Sequence, residues 1–120
     1  MSLQAHAEER LDALLHALAD ATRRRLLRRL AGGPAAVGEL ARPIAMTRVA
    51  VSKHLRVLEA AGLITRTVTG RVHRCALSDG APRELEAWLR EYRDFWDAQL
   101  QSLARYAERG TAPRRRERAR

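Results

Sequence analysis

This sequence predicts a mainly α-helical domain carrying one small β-hairpin, on three observations. Apolar residues recur at helical spacing through most of its 120 residues. Two β-prone runs, ITRTV and RVHRCAL, meet near Thr69-Gly70, where glycine can supply a tight turn. Between Val37 and Gly62 a short helical stretch, a proline turn and a second amphipathic stretch follow one another directly.

The elements justify themselves in chain order. Over residues 5–18, Leu11, Leu14, Leu15 and Leu18 form an apolar stripe with an acidic outer side. Asp20 is placed to cap a second helix, ATRRRLLRRLAGG, in which Leu26, Leu27 and Leu30 face inward and Gly32-Gly33-Pro34 stop the turn. Of its arginines (Arg23, Arg24, Arg25, Arg28, Arg29), about half are expected on a solvated face, with one or two contacting phosphate or an acid of the first helix. A short third helix from Val37 to about Arg42 turns Val37, Leu40 and Ala41 inward, and Pro43 to Met46 form the turn because proline cannot continue the helix.

The fourth helix, Thr47 to Gly62, organises the rest. Val51, Leu55 and Leu58 make its buried stripe, while Arg48, Ser52 and Arg56 repeat along another side, flanked by Val49 and Lys53. No acid interrupts that polar side until Glu59. Thr47 can cap the first turn, Met46 can staple onto Val51, and Gly62 supplies the positive φ that ends the helix. About fifteen residues give a rod of roughly 22 Å, long enough to lie in a DNA major groove. His54 lies between the apolar stripe and the polar side, suited to packing or to touching a phosphate. A helix, a short turn and this reader helix, followed by a basic hairpin with Arg71 at its tip, make a winged helix-turn-helix. Arg71 is the residue expected at the adjacent backbone or minor groove, with Arg66 and Arg74 nearby.

From about Pro82 a last helix runs to Arg109, where Gly110 and then Pro113 stop it. Leu85, Leu89, Tyr92, Trp96, Gln99, Leu103 and Tyr106 alternate spacings of four and three, a heptad seam with one polar member. All five aromatic residues of the protein lie here. So wide an apolar face predicts a homodimer through Leu89, Tyr92, Trp96, Leu103 and Tyr106, with Leu11, Leu14, Leu15 and Leu18 of the first helix as companions. Domain organisation is thus residues 1–109, with dimerisation helices at about 5–18 and 82–109, and a basic tail, 110–120, expected to be disordered.

Charge sharpens the functional reading. Net charge is +9, yet the first twenty residues and residues 78–109 are net acidic, so the positive field sits on residues 21–77 around the reader helix. A membrane-surface helix fits poorly, because the basic middle lacks a large aromatic wedge. No run approaches transmembrane length and the polar, acidic start is unlike a signal peptide, so a cytoplasmic location is expected. A single cysteine, Cys75, allows no internal disulfide and no multi-thiol zinc site. No paired carboxylate site, nucleophile with its base, or glycine-rich phosphate loop is visible, so no enzyme and no cofactor is expected.

LADATRRRLLRRL, VGELARPIAMTRVAVSKHLRVLEAAGLI and TGRVHRCAL resemble, in sequence and spacing, the ArsR/SmtB-type winged helix-turn-helix repressors of bacteria, over roughly residues 8–109. The resemblance implies a homodimer that binds an operator near its own promoter, blocks transcription and releases DNA when an inducer arrives. Metal-sensing members carry a cysteine pair at the start of the third helix or Asp and His ligands on the last. Here the third helix reads VGELAR, and residues 78–109 hold no histidine, which argues against metal sensing by those geometries.

The expected function is therefore sequence-specific, double-stranded DNA binding by Thr47, Arg48, Val49, Ser52, Lys53, His54, Arg56 and Arg71, under an inducer the sequence does not name. Two readings compete with it. A nonspecific DNA-coating protein would explain the charge equally well, although Ser52 and Val49 suit base edges and a thymine methyl. The aromatic helix could instead serve a foreign protein partner. His73 and Cys75, two apart on a strand, could be two ligands of a metal; Cys75 could be a thiol switch acting on the wing, or a small half-buried hydrophobe.

Overall fold

The computed structural model describes residues 3–79 and 82–110. Its elements are α1 (Leu3–Leu18), α2 (Ala21–Leu30), β1 (Ala35–Ala36), α3 (Val37–Ala41), a 3-10 turn (Arg42–Ile44), α4 (Arg48–Ala60), β2 (Ile64–Thr69), β3 (Val72–Leu77) and α5 (Arg83–Gly110). The chain divides into two compact units, residues 1–85 and 86–120. The tail expected to be disordered falls, from residue 111 on, outside the described residues.

The first unit is built around α4, which packs against α1, α2, α3 and β2. Val51, Leu55 and Leu58 of α4 are fully buried among Leu14, Ala17, Leu26, Leu30, Leu40 and Ile64. Each such side chain contributes about 1.5–3 kcal/mol by leaving water. Leu14, expected at a dimer surface, is 2% exposed and belongs to this core, because it stands at the centre of the stripe that meets α2 and α4. Leu11, Leu15 and Leu18 stay half-buried.

Helix ends follow the local chemistry of the sequence. Asp20 Oδ1 accepts from the Arg23 N–H at 3.0 Å and starts α2. Gly62 ends α4 at φ +81°: its N–H bonds the Glu59 carbonyl while Leu63 N–H reaches Leu58, the paired bonds of a Schellman cap. The turn before α4 departs from expectation in detail. Pro43 sits inside a 3-10 turn, and Ala45, not a glycine, takes the left-handed conformation at φ +58°.

The sheet is antiparallel in the order β1-β3-β2. β2 and β3 form the expected hairpin from Ile64↔Leu77 to Thr69↔Val72, leaving Gly70 and Arg71 as a two-residue loop with Gly70 at φ +62°. β1 is additional, pairing Ala35 with Cys75 and Ala36 with Arg74 along the other edge of β3. Two alanines have little intrinsic preference for strand, so this pairing comes from tertiary context.

The second unit, within its described residues, is the rest of α5. Along it Trp88 stacks on Tyr92 with ring centroids 5.0 Å apart, and Trp96 meets Tyr92 and Phe95 edge-on. Leu89, Tyr92, Phe95, Trp96, Leu100, Leu103 and Tyr106 are exposed, from 46% to 67%.

Candidate nucleic-acid interface

The reading side of α4 begins at its cap. Thr47, in extended backbone, accepts the Ala50 N–H on Oγ1 at 3.1 Å and so fixes where the first turn starts. With about 100° of rotation per residue, burial of Val51, Leu55 and Leu58 turns Arg48, Ser52, Arg56, Val49 and Lys53 onto one continuous outer arc. Arg48, Lys53 and Arg56 are exposed, Val49 is 68% exposed and Ser52 is half-buried. Cations, a hydroxyl and a small apolar group thus share one surface.

The Arg48 guanidinium lies over Gly38 of α3, where an added Cβ would come within 2.8 Å of Nη2, the far end of an exposed side chain.

His54 does not share the reading arc. It lies on the opposite flank of the buried stripe, where its Nδ1 is 3.3 Å from Arg23 Nη1 and 3.9 Å from Asp20 Oδ1. Arginine only donates, so Nδ1 is the acceptor. The rotation that buries Leu55 and Leu58 carries His54 toward Asp20 and Arg23 at the start of α2, apart from the other residues expected to contact DNA.

Of the arginines of α2, Arg24, Arg25, Arg28 and Arg29 are exposed and Arg23 is half-buried. Arg23 donates through Nε to the Ala17 carbonyl at 2.7 Å and through Nη2 to that of His16 at 3.0 Å, while Arg24 Nη1 donates to Leu18 at 2.7 Å. These are carbonyls of the last turn of α1, where the helix supplies no i+4 partner, and that of His16 is also bonded by the Ala19 N–H. Arg25 and Arg29 reach the carbonyls of Pro43 and Gly33. Four of the five thus bond backbone oxygens; none of them bonds an acid of α1.

Between α3, α4 and the hairpin lies a cleft of about 500 Å³ whose walls include Arg42, Arg48, Ser52, Arg56, Arg66, Arg71 and His73. Its one acid, Glu39, accepts the Ala36 N–H at 3.2 Å. Arg66 stands at an inward strand position, opposite Cys75 in the ladder. Its side chain is 11% exposed, and its Nε lies 3.6 Å from Glu59 Oε1.

Residues 18–67 match a helix-turn-helix domain family. The HTH-type transcriptional regulator Rv2034 of Mycobacterium tuberculosis is 42% identical over 93 residues, 78% of this chain and 84% of that one. A crystal structure of an ArsR family transcriptional regulator superimposes with a TM-score of 0.68 at 42% identity, covering 75% of this chain and 93% of its own. This chain belongs to the ArsR family of helix-turn-helix transcriptional regulators. The HTH-type regulator CmtR of Mycobacterium bovis is 44% identical over 72 residues, 60% of this chain and 61% of CmtR.

ArsR-family membership makes the chain a DNA-binding regulator rather than an enzyme. Among the described residues, no helix is long and apolar enough to cross a membrane, and no three His, Cys, Asp or Glu side chains converge as a metal site would require. His73 is exposed and lines the cleft, whereas Cys75 is fully buried. That burial pushes the Cys75 thiol up, the Arg66 charge opposing the shift only in part. Three contributors escape a reading of periodicity. Gly38 shows no local turn signal, Arg42 sits in the turn, and Arg66 occupies an inward-facing strand position. Only the alternation from Ile64 to Arg66 could have flagged the last.

Proposed function

We propose that this ArsR-family regulator is a repressor that binds an inverted-repeat operator as a homodimer and is released by an inducer. Two α4 helices enter successive major grooves about 34 Å apart, and the hairpins grip the flanks. The observation that carries this reading is the outer arc of α4. Arg48, Lys53 and Arg56 supply charge for phosphates or guanine edges, Ser52 a donor and acceptor, and exposed Val49 an apolar contact for a thymine methyl. Thr47 stands at the helix start for a phosphate, and Arg71 anchors the wing.

The exposed aliphatic and aromatic side chains of α5 support self-association, since an apolar surface of that extent is rarely left to water. Leu89, Tyr92, Trp96, Leu103 and Tyr106 form that contact, and the half-buried Leu11, Leu15 and Leu18 of α1 contribute to it. A cytoplasmic regulator of its own promoter fits these features. A redox switch at Cys75 fits less well, because a buried thiol with a raised pKa is a poor nucleophile.

Selection of bound fragments from genomic DNA supplies the operator. On it, Arg56→Ala is expected to weaken binding by about 1–3 kcal/mol, with a smaller loss on random duplex. Affinity is also expected to fall steeply with added salt as counterions leave the phosphates. Equal losses on both duplexes would instead make the protein a nonspecific DNA coat.

A further inference from the structure

Away from the reading arc, the first unit holds an apolar trough of about 680 Å³ where α1, α2, the end of β3 and the start of α5 meet. Leu18, Leu27, Leu63, Leu77 and Leu85 wall it, and neither an aromatic ring nor an acid joins them. Leu63 and Leu85 are buried, but Leu18 and Leu27 are half-buried and Leu77 is 39% exposed, so the chain itself leaves much of this leucine surface wet. A space of that size is typical of a small-molecule site. Arg24 and Arg28, one turn apart on α2, complete the wall, and like charges at that spacing repel. Arg24 Nη1 donates to the Leu18 carbonyl, while Arg28 makes no hydrogen bond or ion pair among the described residues. The one hydroxyl on the wall, Ser78, already donates to the Gly62 carbonyl at 2.7 Å. An aliphatic trough edged by two guanidiniums, with no carboxylate of its own, complements a run of methylenes with an anionic head.

From this we infer that the trough binds a medium-chain carboxylate, its alkyl chain against the leucines and its head on Arg24 and Arg28, and that this ligand is the inducer. Walls without a ring favour an alkyl chain over a ligand that would stack. Leu63 follows the Gly62 cap of α4, and Leu18 belongs to the α1 stripe proposed for the dimer. An occupant therefore touches both the end of the reader helix and the association face, the two features whose arrangement must differ between free and DNA-bound protein for a ligand to act. The binding needs nothing of the DNA reading; only the inducer role rests on it.

The test titrates sodium decanoate, below its micellar concentration, into the full chain by calorimetry, without DNA. Saturation at one decanoate per chain is expected, with hexanoate about tenfold weaker or more because fewer methylenes leave water. Decyltrimethylammonium, of the same chain length and opposite charge, should bind about tenfold more weakly as well. Arg28→Glu should weaken decanoate about tenfold or more, whereas Arg28→Lys, which keeps the charge, should retain most of the affinity. Arg28 is exposed, so both variants should fold, and a thermal melt of each verifies it. Each protein is then half-saturated with operator: decanoate at the level that fills the parent should release DNA from the parent but not from Arg28→Glu. Decanoate that fails to saturate, that binds Arg28→Glu as well as the parent, or that is matched by hexanoate or the cation overturns the site. Affinity that falls as rising protein concentration doubles the mass gives the trough to a second copy and overturns it too. Binding that leaves the operator in place removes the inducer role. If decanoate binds as described while no duplex does, the site stands and the DNA reading falls.

Discussion

Gly62 shows how a single residue sets the length of the reading helix. At φ +81° it holds the two bonds that close α4, and it brings Leu63 into the core behind Leu58. Alanine fits the space, since nothing lies within 4 Å of an added Cβ, so the penalty of Gly62→Ala is conformational alone. It is expected to destabilise the domain by about 1 kcal/mol, seen as a lower urea midpoint with an unchanged slope. An unaltered midpoint would mean that the cap does not hold the turn. Residues of this kind were legible in the sequence, because Thr47, Gly62 and Gly70 do chemistry that depends only on their neighbours along the chain. Gly38, Arg23 and Arg66 were not, because each is defined by a partner elsewhere in the sequence: Arg48, the end of α1, and Glu59.

Among elements, the helices and the hairpin follow from periodicity, and β1 does not, since Ala35 and Ala36 pair only because β3 offers an edge. The arginines of α2 teach a similar lesson. Their density suggested phosphate contacts, and four of them also bond carbonyls in turns and at helix ends, a role that density alone does not announce. Helix ends also set the acid response of the fold. Asp20 at the start of α2 is held below the usual carboxylate range, chiefly by the Arg23 backbone N–H. Glu84 at the start of α5 is lowered by its own backbone N–H and then by Arg10. Folded values below unfolded ones mean that these contributions are complete above the ordinary range, about pH 4, and vanish as pH falls through the depressed values. Melting temperature should therefore be level from pH 7 to about 5 and fall below about 4. In Asp20→Asn, which still caps but has no charge to lose, circular-dichroism melts should show a shallower acid decline. A decline identical to that of the parent would remove Asp20 from the account.

For the molecule as a whole, the question is what covers α5. Trp96 and Leu103 are 46% and 63% exposed within the chain, so trimming either removes little from the chain's own core. If a second copy covers them, Trp96→Ala and Leu103→Ala should each cost the association about 2 kcal/mol or more. Sedimentation equilibrium should then show monomers at concentrations where the parent is dimeric, with chain melting little changed and operator affinity reduced. Variants that keep the mass of the parent would assign this helix to another partner.

The concentration of Trp88, Tyr92, Phe95, Trp96 and Tyr106 on α5 has a practical corollary. Near-ultraviolet emission from this protein originates wholly in α5, outside α4 and the hairpin, so a spectrum taken on dilution watches only that rod. Occupancy of the duplex will be spectrally silent unless it is relayed to the indoles, or a dye is placed near the tip of the wing.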